Sequence, residues 1–296
     1  MQCVIEPFYH SASSAISYVV YCPTTRQAAV IDAALDFDVS SGEISSACVE
    51  PILELIQAKQ LQLCWILETH AHADHISAAQ YLKTAINKQK NAEQAPQTAI
   101  GKNITFAQQT FKTQLNLPAS FATDGRQFDK LLNDGDNLNL GEHTIKVVAT
   151  PGHTNDSVTF VIGDNAFVGD TLFMPDSGTS RCDFPGGDAK VLFDSIQTIY
   201  DLGEQVKLWM CHDYQPGGRE LKYQTTVSEQ RKHNIHLSGQ TAKEQFVELR
   251  EKRDATLNVP KLLYPSIQLN IDGGRLPPAE DNQVSYIKIP LTRSNR

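Results

Sequence analysis

The segment Thr69-His70-Ala71-His72-Ala73-Asp74-His75 puts three imidazoles and a carboxylate into six residues, directly after the apolar run LCWILE. Gathering so many titratable groups at a strand end is costly unless they are used. Neutral imidazole and carboxylate are donors that zinc, iron and manganese accept, and no thiolate lies nearby to make a cysteine-type structural site. In extended backbone His70 and His72 share a side, and a turn into the next helix would aim Asp74 and His75 at an adjacent point. That geometry can feed two neighbouring metal positions. Three further segments each put a ligand type after an apolar run: His153 in Thr150-Pro151-Gly152-His153-Thr154, Asp170 in Val168-Gly169-Asp170-Thr171, and His212 in Met210-Cys211-His212-Asp213-Tyr214. Alone, each histidine reads as an ordinary core or surface residue; at equivalent strand ends they read together as a site. Asp32 closes the run QAAVIDA and is either a supporting carboxylate for that site or a simple strand-end cap.

The elements that must position these residues follow from pattern. AISYVVYC and QAAVIDA, separated by Pro23-Thr24-Thr25-Arg26, predict a hairpin of buried strands. In VEPILELIQAKQL the apolar residues Val49, Ile52, Leu53, Leu55 and Ile56 fall near helical period, which makes a helical crossover to the strand LCWILE. SAAQYLKTAI predicts a second helix, the polar stretch from Asn87 to Gln97 a solvent-facing loop, and Thr105 to Leu115 a third helix. From Asp134 to Val168, the runs DNLNL, HTIKVVAT, SVTFVI and AFVG are short strands at hairpin spacing. Helices are expected at Ala189 to Tyr200, Thr226 to Asn234 and Ala242 to Arg253, with strand VKLWM between the first two. The chain is read as a single domain over 1–296, its Pro- and Gly-rich stretch at about 260–296 forming an irregular C-terminal extension. Strands and helices mixed in both halves indicate a layered α/β architecture.

Composition narrows the partners. The 296 residues carry 26 Lys+Arg against 34 Asp+Glu, a net charge of -8, which opposes nonspecific nucleic-acid binding. Apolar residues make up 41%, enough with the 17 glycines to build a full core. The opening MQCVIEPFYH has neither a basic nor an apolar signal region, and no run of about 18 apolar residues could span a bilayer, so export and membrane insertion are not expected. The six cysteines lack CxxC spacing and fit a reducing cytoplasm; Cys182 and Cys211, which flank the motifs, read as buried thiols.

HAHADH, PGHT, GDTLF and CHDY, in this order and over nearly the whole chain, resemble the metallo-β-lactamase fold superfamily. The resemblance implies an α/β fold, the four-layer αβ/βα sandwich. The short interval from His153 to Asp170, and the segment Gly178-Thr179-Ser180-Arg181-Cys182-Asp183-Phe184 followed by Gly186-Gly187, resemble the persulfide dioxygenases, iron-binding relatives of glyoxalase II. YPSIQLNIDGGRLPP is similar to a bacterial branch named β-lactamase-like hydrolases. What the resemblance implies is one Fe(II) on His72, His153 and Asp170, a facial triad with open positions for a persulfide sulfur and O2. His70, Asp74, His75, His212 and Asp32 would then orient those ligands. The implied reaction turns a thiol persulfide, such as glutathione persulfide, into sulfite and the thiol. The same residues also fit a binuclear thioester hydrolase with two Zn(II), His70, His72 and His153 holding one ion and Asp74, His75 and His212 the other, with Asp170 bridging. Against this, the tail does not resemble the helical substrate domain of glyoxalase II. Arg181 is expected to fork onto a substrate carboxylate, or else to pair with Asp183, and Tyr214 to offer a phenol to the substrate or to pack. The resemblance further implies a homodimer; the charge and the absence of a long apolar run give no nucleic-acid or membrane partner.

Overall fold

In a computed structural model, which describes residues 2–88 and 95–291, the chain forms fifteen strands and seven α-helices among those residues. In chain order they are β1 (Val4–His10), β2 (Ala15–Tyr21), β3 (Gln27–Ile31), β4 (Ala34–Phe37), β5 (Ile44–Ser45), α1 (Glu50–Ala58), β6 (Gln62–Leu67), β7 (Ile76–Ser77), α2 (Ala79–Asn87), β8 (Gln97–Gly101), α3 (Ile104–Gln114) and β9 (Lys130–Leu132). There follow β10 (Asn137–Leu140), β11 (His143–Ala149), β12 (Val158–Ile162), β13 (Asn165–Phe167), α4 (Ala189–Tyr200), β14 (Lys207–Trp209), β15 (Gln224–Thr226), α5 (Val227–His233), α6 (Lys243–Asp254) and α7 (Leu263–Asn270). Of the polar loop expected between Asn87 and Gln97, residues 89–94 lie outside the described residues, and Gln97 already opens a strand.

Two six-stranded sheets form, in the orders β1-β2-β3-β6-β8-β9 and β10-β11-β12-β13-β14-β15. Alternation along the strands sends side chains to opposite faces. Ile16, Tyr18, Val20 and Ile31 of the first sheet meet Leu138, Ile145, Val147 and Phe160 of the second in the central layer. Their neighbours Val19, Ala28 and Val30 turn outward onto Ile52 and Ile56 of α1 and Leu82 of α2. The second sheet is covered by Leu192, Ile196 and Ile199 of α4 and Phe246 of α6. This is the four-layer αβ/βα sandwich. The parallel pairs do most to gather the ligand residues: Ile31 is in register with Leu67, and Phe167 with Trp209, so the residues after β3 and β6, and after β13 and β14, emerge side by side.

The C-terminal extension differs from its expected irregular form. Residues 263–270 make helix α7, every residue from Pro265 to Asn270 is buried, and Ile267 packs with Ile104 and Phe111 of α3. Proline in a first helical turn breaks no hydrogen bond, and a helix buried on all sides carries no amphipathic stripe to reveal it in sequence. Strands of two residues, β5 and β7, are likewise too short for any period to mark. No helix among the described residues is long and apolar enough to cross a membrane.

Candidate metal centre

Each ligand-type residue follows a strand. β3 hands over Asp32, β6 the segment from Glu68 to His75, β11 leads to His153, β13 to Asp170 and β14 to His212. The approach of the Asp170 turn to the histidine segment needs glycine at 169: its φ is +52°, and a Cβ there would lie 2.7 Å from Thr69 Oγ1.

Two groups converge. His70, His153 and Asp170 offer ligand atoms within 4.8 Å of one another, and His72, Asp74, His75 and His212 do the same. Asp170 stands between them: its Oδ2 is 3.9 Å from His70 Nε2 and 3.7 Å from His153 Nε2, and its Oδ1 is 3.4 Å from His212 Nε2. His70 Nε2, His72 Nδ1, His75 Nε2, His212 Nε2 and Asp170 Oδ1 are all buried without a hydrogen-bond partner. Unpaired buried polar atoms are rare because each carries a desolvation cost. So many in one place, all of them imidazole or carboxylate, fit a bound transition-metal centre.

The expected trio differs in one member. His70, and not His72, joins His153 and Asp170, while His72 Nε2 turns to Asp32 Oδ1 at 3.1 Å and Glu68 Oε2 at 3.4 Å. The two imidazoles do share a side, their ring centroids 4.1 Å apart, as alternation implies; what separates their roles is that Asp32 and Glu68 take His72 Nε2. Asp32 itself is more than a cap. It sits in left-handed backbone, φ +52°, and accepts from Thr69 N–H at 2.7 Å and Thr69 Oγ at 2.8 Å, tying the end of β3 to the histidine segment.

Charge is distributed unevenly. Burial opposes a proton on His72, yet Asp32 and Glu68 outweigh it and hold its pKa well above 6.5. Burial, then the neighbouring His72 and His153, holds His70 well below 6.5, the neutral form a metal requires. Burial would raise Asp74, but His212 and His75 hold it well below the ordinary carboxylate range.

Supporting contacts come from far along the chain. Asn270 of α7 donates to the carbonyls of His72 and His75, both at 2.8 Å, and accepts from Ser77 N–H at 2.8 Å. Asp156 accepts from Ala71 N–H at 2.7 Å. Neither residue is among those expected at the site; Asn270 stands inside YPSIQLNIDGGRLPP with no local pattern to mark it. His153 Nδ1 lies 2.7 Å from the carbonyl of Arg181, which can only accept, so Nδ1 carries the proton and Nε2 is left as the donor to a metal.

A cleft of about 350 Å³ opens over His153 and Asp170, walled by Phe173, Phe184, Tyr214, Arg181 and Arg253. The Arg181 fork is taken: Nε and Nη2 each reach Asp183 at 2.6 Å, and Nη1 donates to Asn258 O at 2.7 Å. The expected Asp183 pair is present. Tyr214 is half-exposed at the mouth and stacks on His212, ring centroids 5.6 Å apart. Cys182 and Cys211 are both buried thiols, the latter 3.6 Å from Asp32 Oδ2.

A family model described as "Metallo-beta-lactamase superfamily" matches residues 13–203. The chain is 45% identical over 288 residues to Glyoxylase B2 of Dictyostelium discoideum, spanning 97% of this chain and 96% of that protein. To the mitochondrial persulfide dioxygenase ETHE1 of Bos taurus it is 30% identical over 223 residues, 72% of each chain. The crystal structure of ETHE1 from Myxococcus xanthus superposes with a TM-score of 0.71 at 27% identity, covering 92% of this chain and 100% of that one. Sequence match, sandwich and clustered ligands agree, and the chain belongs to the metallo-β-lactamase superfamily as one of its metal-binding enzymes.

Proposed function

We propose that the protein is an iron-dependent persulfide dioxygenase, oxidising a low-molecular-weight thiol persulfide such as glutathione persulfide with O2. The observation that carries this reading is the trio His70, His153 and Asp170, of which His153 and Asp170 line the cleft, two imidazoles and one carboxylate as a mononuclear facial site needs. Likeness to the Myxococcus ETHE1 along nearly the whole chain supports it. The balanced reaction is RSSH + O2 + H2O → RSH + SO3²⁻ + 2 H⁺. Bound iron would supply the electron transfer from sulfur to oxygen, which redox-inert zinc does not. The chain's own groups prepare the site. The Arg181 carbonyl fixes the His153 tautomer, and Asp32 with Glu68 holds the His72 ring. Phe173 and Phe184 give the cleft an apolar wall that keeps water from the reacting sulfur. At the mouth, Tyr214 and Arg181 contact the polar end of the thiol. Arg181 does so by exchanging Asp183 for a substrate carboxylate, with Arg253 on the same wall as a second cation. The six free cysteines fit a cytoplasmic setting.

A second reading, the binuclear thioester hydrolase with two Zn(II), is favoured by the unpartnered His72 Nδ1, His75 Nε2 and His212 Nε2 beside Asp74 and by the relative named Glyoxylase B2. Metal analysis after iron-replete expression, coupled to oxygen uptake on glutathione persulfide, separates the two. About one iron per chain with oxygen consumption supports the dioxygenase. Two zinc ions, thioester hydrolysis and no oxygen uptake overturn it.

A further inference from the structure

A second convergence of ligand types lies apart from the centre and shares no residue with it. His10 ends β1, Asp36 lies in β4, and Cys48 stands just ahead of α1, three elements that are remote in sequence. One ligand atom from each lies within 4.8 Å of the others, and His10 Nε2 is 3.0 Å from Asp36 Oδ1.

The outer contacts of this group are those that orient metal ligands. His10 Nδ1 meets Ser13 Oγ at 2.7 Å, which leaves Nε2 as the inward atom. Asp36 Oδ2 accepts the Cys48 amide at 3.0 Å, which leaves Oδ1 inward. A ligating histidine held through its other nitrogen, and a ligating carboxylate held through its other oxygen, are the usual outer arrangement of a protein metal site. A His10–Asp36 ion pair alone would need no thiol, yet Cys48 completes the group while its Sγ is 3.1 Å from the Ala34 carbonyl.

We propose that His10, Asp36 and Cys48 bind one divalent cation of the zinc class, with water as the fourth ligand. Thiolate and imidazole together select a borderline-soft ion over magnesium or calcium. Tetrahedral bonds of ordinary length separate ligand atoms by about 3.5 Å, so a slight opening of the 3.0 Å His10–Asp36 pair and a shift of the Cys48 side chain suffice. On binding, the Cys48 thiol releases its proton to solvent and exchanges the Ala34 contact for the ion. Two anionic ligands then neutralise the dication. The ion clips the end of β1 to β4 and to the start of α1, a structural role that holds under either reading of the central site.

The test uses the whole protein with its central metal already loaded. Titration with Zn(II) is expected to add one further equivalent per chain and to raise the melting temperature. Co(II) in its place is expected to give a thiolate-to-cobalt charge-transfer band in the near ultraviolet. Cys48→Ser loses the band and the added equivalent while central metal and turnover stay unchanged, and His10→Asn weakens both. Cys211→Ser, which alters the thiol beside the central cluster, leaves the band in place. The proposal is overturned if wild type and Cys48→Ser take up the same metal, or if the band follows Cys211 instead.

Discussion

His70 and His72 stand two residues apart and play different parts, which makes them a sharp pair to mutate. Under the mononuclear reading, His70→Ala removes a ligand, so iron falls towards zero per chain and turnover drops at least about a hundredfold. His72→Ala removes an orienting group and weakens iron retention by roughly tenfold to a hundredfold, with iron still bound at saturation. Metal analysis and oxygen uptake on the two variants check this, and equal loss of metal from both would favour the binuclear arrangement. His236 gives an independent residue-scale prediction. It is buried, accepts from Thr179 N–H at 2.9 Å, and burial followed by the charge of Arg250 lowers its pKa from 6.5 to about 4. Between those values the unfolded chain binds a proton that the folded chain refuses. Stability is therefore lost as pH falls from about 6.5 to about 4, by on the order of 3 kcal/mol. His236→Asn, whose Oδ1 can replace Nδ1 as acceptor, is expected to flatten that part of a urea-denaturation profile measured against pH.

At the scale of elements, the two C-terminal helices reach the centre through backbone. Buried Arg250 of α6 pairs with Asp254 and donates to Thr179 O at 3.0 Å, while Asp254 accepts from Cys182 N–H at 2.8 Å. Helix α6 thus fixes residues 179–182, and with them the Arg181 carbonyl that orients His153. Asp254→Ala leaves a buried guanidinium unpaired and is expected to cost about 3–5 kcal/mol in chemical denaturation. Arg250→Met combined with Asp254→Leu is expected to recover much of that loss. Helix α7 acts through Asn270. Asn270→Ala strands the His72 and His75 carbonyls, with an expected cost of about 1–3 kcal/mol and faster loss of metal to a chelator than in wild type.

For the whole molecule, the metal is expected to be functional and not structural. The layer between the sheets and the layers beneath α1, α2, α4 and α6 are built from hydrophobic side chains and include none of the candidate ligand residues. Such cores fold without an ion, unlike a zinc finger. Asp170→Asn, or chelation of the wild type, is expected to abolish turnover while the far-ultraviolet circular dichroism stays native and the melting temperature falls. Global unfolding of the apoprotein would contradict this.

The strand-end placement of Asp32, His153, Asp170 and His212 and the layered α/β architecture were legible in the residues alone, because period-2 and period-3.6 patterns are local and survive in text. Helix α4 falls at Ala189–Tyr200, the span its pattern gave. Which histidine joins His153 and Asp170 was settled only by the folded chain. That choice depends on Asp32 and Glu68 claiming His72 Nε2, which has no periodic signature. The same holds for Asn270, 195 residues from the His75 carbonyl it holds. A chain pattern records which face a residue turns to its neighbours in one element; it does not record which partner from another element arrives there, and the chemistry of this centre is made of such arrivals.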